Sequence, residues 1–288
     1  MGLWYSFSPQ SQSCFDLTWR RPNASFSIVI GVFDSGIGGL GVLRRIREQL
    51  PDADLVYVAD RARSPYGIRP EHQIVQYSDQ ITQHLISKGA QMIVVACNTA
   101  SSAALHELRH RYPEVPFTGM EPAVKPAALL SETGVIGVLV TPSTGSGGAL
   151  ASVVDRFARD VSVRVETCPD WVSLVEEGEF NGPRAEEAVK RHIEPLVKSG
   201  ADVLVLGCTH YPFLSNLIQE AAGSSVILID PAESVARQVS RVASQVGAVE
   251  GKGSTRIEVN GRFDDIPSLL SDFLDLDADI QAVVFTDE

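Results

Sequence analysis

The chain predicts an α/β fold of two pseudo-symmetric domains, each a mainly parallel sheet flanked by helices, with the functional site in the cleft between them. Two observations carry this. Short apolar runs alternate with amphipathic segments from Ile28 onward, the rhythm of βα units and parallel strands. The chain also repeats itself: Leu85–Ser101 (LISKGAQMIVVACNTAS) and Leu196–Tyr211 (LVKSGADVLVLGCTHY) align with Gly89 on Gly200, Ala90 on Ala201 and Cys97 on Cys208, at one offset of 111 residues. In each copy a helix ends at glycine, an apolar run fit for a buried strand follows, and a cysteine stands where the strand stops. Ligands of open parallel sheets bind at such carboxyl ends. Two matched thiols facing one ligand is therefore the expectation.

Taken in order, Ile28–Phe33 reads as a buried strand, and Gly39–Gln49 as a helix with Leu40, Leu43 and Ile46 on one face. Leu55–Ala59 is a strand, followed by a polar loop, Asp60–Arg69. A long helix begins at Pro70, where a missing N–H costs nothing, and leads to the first thiol strand at Met92–Ala96. Ala100–Arg111 is helical. Gly119–Lys125 (GMEPAVK) reads as a hinge. Strand Val135–Leu139, helix Ala149–Ala158, strand Val161–Val165 and helices Trp171–Glu177 and Arg184–Lys198 precede the second thiol strand. Val226–Ile229 is a strand and Ala232–Val246 a helix, and the tail reads as strand, short helix, strand. The expected division is an extension at 1–27, a first domain of 28–121 plus 230–288 carrying Cys97, and a second of 122–229 carrying Cys208.

Composition narrows the class. With 288 residues, 44% hydrophobic and 21% charged, the chain has length for a full core, and no apolar run is long enough to span a bilayer. A net charge of −12, spread along the chain, argues against nucleic-acid partners. Four cysteines (Cys14, Cys97, Cys168, Cys208) make no disulfide framework, so reduced thiols in a cytoplasm are expected. Residues 1–27 lack the basic start and apolar core of a signal peptide and read as a disordered extension. They match the short patterns for N-terminal myristoylation and, at Asn23, for glycosylation, both common by chance.

Val32–Gly41 (VFDSGIGGLG) follows a strand, opens a helix and fits G-x-G-x-x-G, with Asp60 where a ribose-binding acid belongs. An NAD-binding protein is thus one alternative. Against it, Asp34 would set a carboxylate beside a pyrophosphate, and the thiols would go unexplained. The loop more simply aims Asp34 and Ser35 at a ligand in front of free N–H groups. In Asp60–Gly67 (DRARSPYG), the Pro65-Tyr66-Gly67 turn is either an ordinary surface turn or a source of backbone donors and a hydroxyl for a carboxylate. A lone cysteine is most often a small buried hydrophobe, the reading for Cys168. For Cys97 and Cys208 the repeat weakens it, and a helix N-terminus would favour the thiolate. His210 offers too few companions for a zinc site, so no metal is expected. The other five histidines (His72, His84, His106, His110, His192) read as solvated.

Two opposed thiols suit one task in particular: removing a proton from a carbon next to a carboxylate on one face and returning one on the other. Asp34 and His210 could relay those protons, while Ser35, Asn98, Thr99 and Thr209 hold the carboxylate.

FDSGIGG (Phe33–Gly39), PYG (Pro65–Gly67), CNTAS (Cys97–Ser101) and GCTHYP (Gly207–Pro212) together resemble the glutamate racemases over about Ile28 to Val246. The resemblance implies an active site between two pseudo-symmetric α/β domains and a cofactor-independent isomerase interconverting L- and D-glutamate, which supplies D-glutamate for peptidoglycan and cell shape. It implies Cys97 and Cys208 as the two bases, the first acting on the D-isomer and the second on the L-isomer. Asp34 and His210 assist, with an accessory acid at Glu176 or Glu177. The implied substrate contacts are Asp34, Ser35, Pro65, Tyr66, Gly67, Asn98, Thr99, Thr209 and His210, with a threonine near Thr141 or Thr144, the latter preferred. A homodimer and an allosteric cell-wall precursor also belong to what it implies. Racemisation of aspartate or a related carboxylate, and a silent member that only binds, remain alternatives. The tail after Gly247 departs from the family pattern.

Overall fold

A computed structural model describes residues 29–247, 251–271 and 276–286. The expectations for the extension, the two modification patterns and Cys14 lie outside them. The elements alternate as βα units, and each buried strand is an apolar run covered by helices on both faces. β1 (Val29–Asp34), α1 (Leu40–Gln49), β2 (Asp54–Ala59), α2 (Glu71–Ser87), β3 (Ala90–Val95), α3 (Asn98–Arg111) and β4 (Phe117–Gly119) form the first run. After α4 (Val124–Leu130) come β5 (Val135–Val140), α5 (Pro142–Ser146), α6 (Gly148–Phe157), β6 (Ser162–Thr167), α7 (Trp171–Glu176), α8 (Pro183–Lys198) and β7 (Val203–Leu206). α9 (Ser215–Ala222), β8 (Ile227–Ile229), α10 (Ala232–Val246), β9 (Thr255–Asn260), α11 (Ile266–Leu269) and β10 (Asp279–Val283) complete the order.

Two parallel sheets result, ordered β10-β9-β2-β1-β3-β4 and β6-β5-β7-β8. The repeat is legible in them: β3 lies next to β1 and β7 next to β5, in register Ile30 to Met92 and Ile136 to Val203. Gly89 and Gly200, each before its thiol strand, take φ of +90° and +91°, the left-handed turn that glycine makes at least cost. Helix α10 returns from the end of the second sheet to pack on α1. One apolar cluster then runs from Ile30, Leu40 and Leu43 through Val235 and Val239 to Trp171, Val189 and Leu204.

The long strands and helices fall within a residue or two of their expected positions. α4 and α5 were not expected, and α4 begins inside the segment read as a hinge, at Val124. The helix expected directly after Cys208 starts only at Ser215, beyond a 3-10 turn at Tyr211–Leu214, so Cys208 is not at a helix N-terminus. α4 and α5 are short, the one with Pro126 and the other with Gly145 inside it, and neither is long enough to show a helical stripe of its own. Asp60–Arg69 is two single 3-10 turns, Arg61–Arg63 and Tyr66–Ile68. Two histidines correct the solvated reading. His192 is buried, with Nδ1 2.7 Å from Glu166 Oε1 and its ring edge on Trp171, and His84 pairs with the buried Glu258. No helix among the described residues is long and apolar enough to cross a membrane.

Trp171 opens α7, the helix that ends at Glu176. Its ring is fully buried against Tyr211 at 4.8 Å between centroids, and its Nε1–H donates to Ala188 O at 3.3 Å. Trp171→Ala should cost about 3–5 kcal/mol through the cavity it leaves. Urea unfolding followed by far-UV circular dichroism measures this, and a loss under about 1 kcal/mol would show that the site collapses around the gap.

Candidate active site

The site assembles from the carboxyl ends of β1, β3 and β7 and from the end of α7. The loop after β1 turns sharply, and the Asp34 carboxylate fills its inside. Oδ1 accepts from Ser35 N–H at 2.6 Å, and Oδ2 accepts from Gly39 N–H at 2.5 Å and from the Thr209 hydroxyl at 3.1 Å. Thr209 belongs to the other half of the fold, so this carboxylate joins the two thiol loops. Burial pushes the Asp34 carboxyl above its usual range, opposed by the charge on His210 and by the two N–H groups.

Cys97 is the N-cap of α3. Its Sγ accepts from Ala100 N–H at 3.5 Å and donates to Ser35 Oγ at 3.7 Å. Cys208 Sγ lies 3.8 Å from His210 Nδ1. Both thiols are buried, at 4% and 6% exposed. Cys97–Ser35–Asp34–Thr209 thus forms a polar floor whose last residue adjoins Cys208. The expectation that the helix terminus favours a thiolate fails at Cys97. Burial, seconded by the Asp34 charge, pushes this thiol well up, and the Ala100 N–H does not compensate.

His210 faces Glu176, with Nε2 2.7 Å from Oε1. Burial alone would lower its pKa, but the hydrogen bonds to Cys208 and Glu176, with their charges, hold the ring well above its usual value. For Glu176 the order is similar: burial pushes up, and His210, Arg61 and the Ile37 N–H at 2.8 Å together hold the carboxyl below its usual range. Glu176, not Glu177, faces His210, since Glu177 is turned outward onto Arg184 at 2.7 Å.

Around this centre the structure gathers most of the expected contacts. Thr99, Thr141 and Thr144 share hydrogen bonds at 2.9, 3.0 and 3.5 Å. Both amide atoms of the buried Asn98 have no hydrogen-bond partner among the described residues, so that side chain has capacity for a ligand. Gly67 packs so closely that a Cβ there would lie 2.7 Å from Thr141 Cβ. The Tyr66 hydroxyl is engaged within the fold: it donates to Asp60, which also accepts from Asn260 Nδ2 at 2.6 Å, so of this turn's expected donors the hydroxyl is taken. Pro65 supplies only the turn before it. Among the described residues no three His, Cys, Asp or Glu side chains converge as a metal cluster.

The glycine-rich loop has a use other than nucleotide binding. A Cβ at Gly36 would lie 1.8 Å from Glu176 Oε1, and one at Gly38 would lie 2.4 Å from His210 Nδ1. These glycines make room for the His–Glu pair, and Asp34 already takes N–H groups that a pyrophosphate would need. Sequence reading missed Arg61, whose Nε donates to Glu176 Oε2 at 2.8 Å, and Asp265, which holds Arg61. Arg61 stood within a quoted motif, whereas nothing local marks Asp265.

Fold and site together define a two-sheet α/β protein that sets one thiol from each half over a shared polar floor. The chain belongs to the Asp/Glu/hydantoin racemase family, whose sequence profile matches residues 30–239, and by that membership it is an isomerase. The glutamate racemase of Ectopseudomonas mendocina (strain ymp) is 49% identical over 216 residues, 75% of this chain and 82% of that protein. Among solved structures, glutamate racemase isoform RacE1 from Bacillus anthracis matches with a TM-score of 0.80 at 29% identity, covering 89% of this chain and 97% of that one. The Escherichia coli glutamate racemase in complex with L-glutamate and the activator UDP-MurNAc-Ala matches with a TM-score of 0.79 at 28% identity, covering 90% and 99%.

The raised Cys97 thiol has a pH consequence. The folded chain keeps a proton that the unfolded chain releases near pH 8.5, so this contribution to stability is complete below that pH and is lost as pH rises above it. Urea unfolding at about pH 7 and about pH 9.5 should show wild type losing more stability than Cys97→Ser. Equal losses would mean that Cys97 titrates alike in both states.

Proposed function

We propose that the chain is a glutamate racemase that works by two-base proton transfer through Cys97 and Cys208, without a cofactor. The observation that carries this is the pairing of the repeated thiols over the Ser35–Asp34–Thr209 floor, in a family of racemases. The curated relatives at 44–49% identity bear the name glutamate racemase, which favours glutamate over aspartate as substrate.

In the L-to-D direction, Cys208 as thiolate takes the α-hydrogen as a proton. The electron pair left on the α-carbon spreads into the substrate carboxylate. The Cys97 Sγ–H then returns a proton on the opposite face, leaving Cys97 as thiolate and Cys208 as thiol. In the D-to-L direction the two exchange roles. The raised Cys97 thiol suits the acid of the first direction, and His210 stands where it can hold the proton that Cys208 gives up. Asn98, Ser35, Thr99 and Thr144 are the polar groups offered to the substrate, with backbone donors from the Pro65–Gly67 turn. Burial of both sulfurs keeps water from the carbanion and strengthens its electrostatic stabilisation. The halves 28–121 plus 230–288 and 122–229 are the proposed domains, and a cytoplasmic homodimer supplying D-glutamate for peptidoglycan is the proposed setting. The activator bound to the Escherichia coli relative favours a cell-wall precursor as effector here as well.

Optical rotation of L-glutamate with purified, cofactor-free protein tests the reading, and it should decay to zero. Cys97→Ser and Cys208→Ser should each lower kcat by roughly 10²–10⁴-fold, the range for losing one positioned acid or base. Full activity in either variant would contradict the two-thiol mechanism. Inert glutamate with racemised aspartate would move the substrate assignment to the alternative.

A further inference from the structure

Glu176 has more partners than its contact with His210 requires. Oε2 accepts from Arg61 Nε at 2.8 Å, and the Glu176 main-chain oxygen accepts from Arg61 Nη2 at 2.9 Å. On its far side Arg61 reaches Asp265, with Nη1 to Oδ1 at 2.5 Å and Nη2 to Oδ2 at 3.1 Å, while Nη1 also donates to Arg262 O at 2.8 Å. All five N–H donors of the guanidinium are therefore used, and its side chain is only 4% exposed. An arginine so fully engaged is not a solvated surface charge. From the tail inward the order is Asp265, Arg61, Glu176, His210, Cys208: carboxylate, guanidinium, carboxylate, imidazole, thiol.

We propose that Arg61, held by Asp265, is a positioning residue that fixes the Glu176 carboxylate and through it sets the proton affinity of His210 beside Cys208. The kinetic part of this rests on the racemase reading; the electrostatic part does not. The geometry accounts for both. Oε1 is shared by Ile37 N–H and His210, so the carboxylate would be free to swing about that edge if Oε2 were not pinned. Arg61 also lies on the opposite side of Glu176 from the imidazole, where it competes for the same negative charge. A cation there makes the Glu176–His210 pair release its proton more readily, and Asp265, behind it, moderates the effect. The other charged or titratable groups that face the pair are Asp34 of β1, Tyr57 of β2, Cys208 and Arg262, of which Arg262 Nη2 donates to Glu176 O at 2.8 Å. Asp34, Tyr57 and Cys208 are common to every variant below and cancel in the comparison. Arg262 also loses its Asp265 partner, Nη2 to Oδ2 at 2.9 Å, in Asp265→Asn, which acts in the same direction as unmasking Arg61.

The test is an NMR titration of the His210 ring in the full chain, for wild type, Arg61→Met, Asp265→Asn and Arg61→Lys, with circular dichroism to establish that each is folded. Removing the cation should raise the His210 titration by roughly half a unit to one unit, and removing the anion behind it should lower it by less. Arg61→Lys, which keeps the charge, should stay near wild type. In racemisation of L-glutamate, Arg61→Met should lose roughly 10-fold in kcat with little change in KM, because misplacement affects the transferring proton rather than binding, and Arg61→Lys should recover part of it. A purely structural Arg61 would give no opposite shifts. Titrations that move the same way in Arg61→Met and Asp265→Asn, or that do not move, would overturn the inference even if wild type racemises glutamate. Opposite shifts in a protein that leaves glutamate untouched would uphold it and defeat the racemase reading instead. If Arg61→Met does not fold, Asp265→Asn and Arg61→Lys decide the sign.

Discussion

A carboxylate buried where two halves of a fold meet must be neutralised and hydrogen-bonded, or it destabilises both. Glu176 meets that requirement by recruiting from every side: a backbone N–H from the loop after β1, an imidazole from the loop after β7 and a guanidinium from the loop after β2. These partners fix the distance between the loops carrying Asp34 and Cys208. They also explain why the β1 loop is glycine-rich, since a side chain at Gly36 would occupy the place of the carboxylate itself. Removing one partner from such a pair commonly costs about 3–5 kcal/mol, so the arrangement is bound to stability as much as to chemistry.

Asp34 plays the complementary part on the polar floor. It is saturated by Ser35, Gly39 and Thr209, and its charge works against ionisation of Cys97. The two thiols therefore sit in unlike surroundings, one beside a buried carboxylate and one beside a histidine. Unlike surroundings are what a pair needs if one member is to start as acid and the other as base. A duplicated scaffold would otherwise present two equivalent sulfurs. The asymmetry comes from residues that are not repeated, His210 and Glu176 on the side of Cys208 and Asp34 on the side of Cys97.

Much of this was legible in the chain. The strands β1, β3, β5 and β7 are marked by uninterrupted apolar runs, and the constant offset between Cys97 and Cys208 marks the duplication. α10 fell on its expected residues because its apolar stripe is regular. The failures share a cause. α4 and α5, of seven and five residues, are too short to carry a helical pattern of their own. Tyr66 looked available because its hydroxyl gives no sign in the sequence of Asp60 and Asn260, the latter 194 residues later. The helix-terminus argument for Cys97 weighed a dipole without the burial that outweighs it. Arg61 and Asp265 are far apart in the chain, and only folding brings the tail over the β2 loop.

In the proposed mechanism different sulfurs serve the two faces of one carbon. The most direct measurement starts from protiated L-glutamate in deuterated water, stops at low conversion, separates the enantiomers and weighs each by mass spectrometry. Two bases that do not share a proton predict D-glutamate carrying solvent deuterium at the α-carbon while the remaining L-glutamate keeps its protium. D-glutamate that retains the original proton would mean that one group carries it from face to face, and the account of two opposed thiols would be wrong.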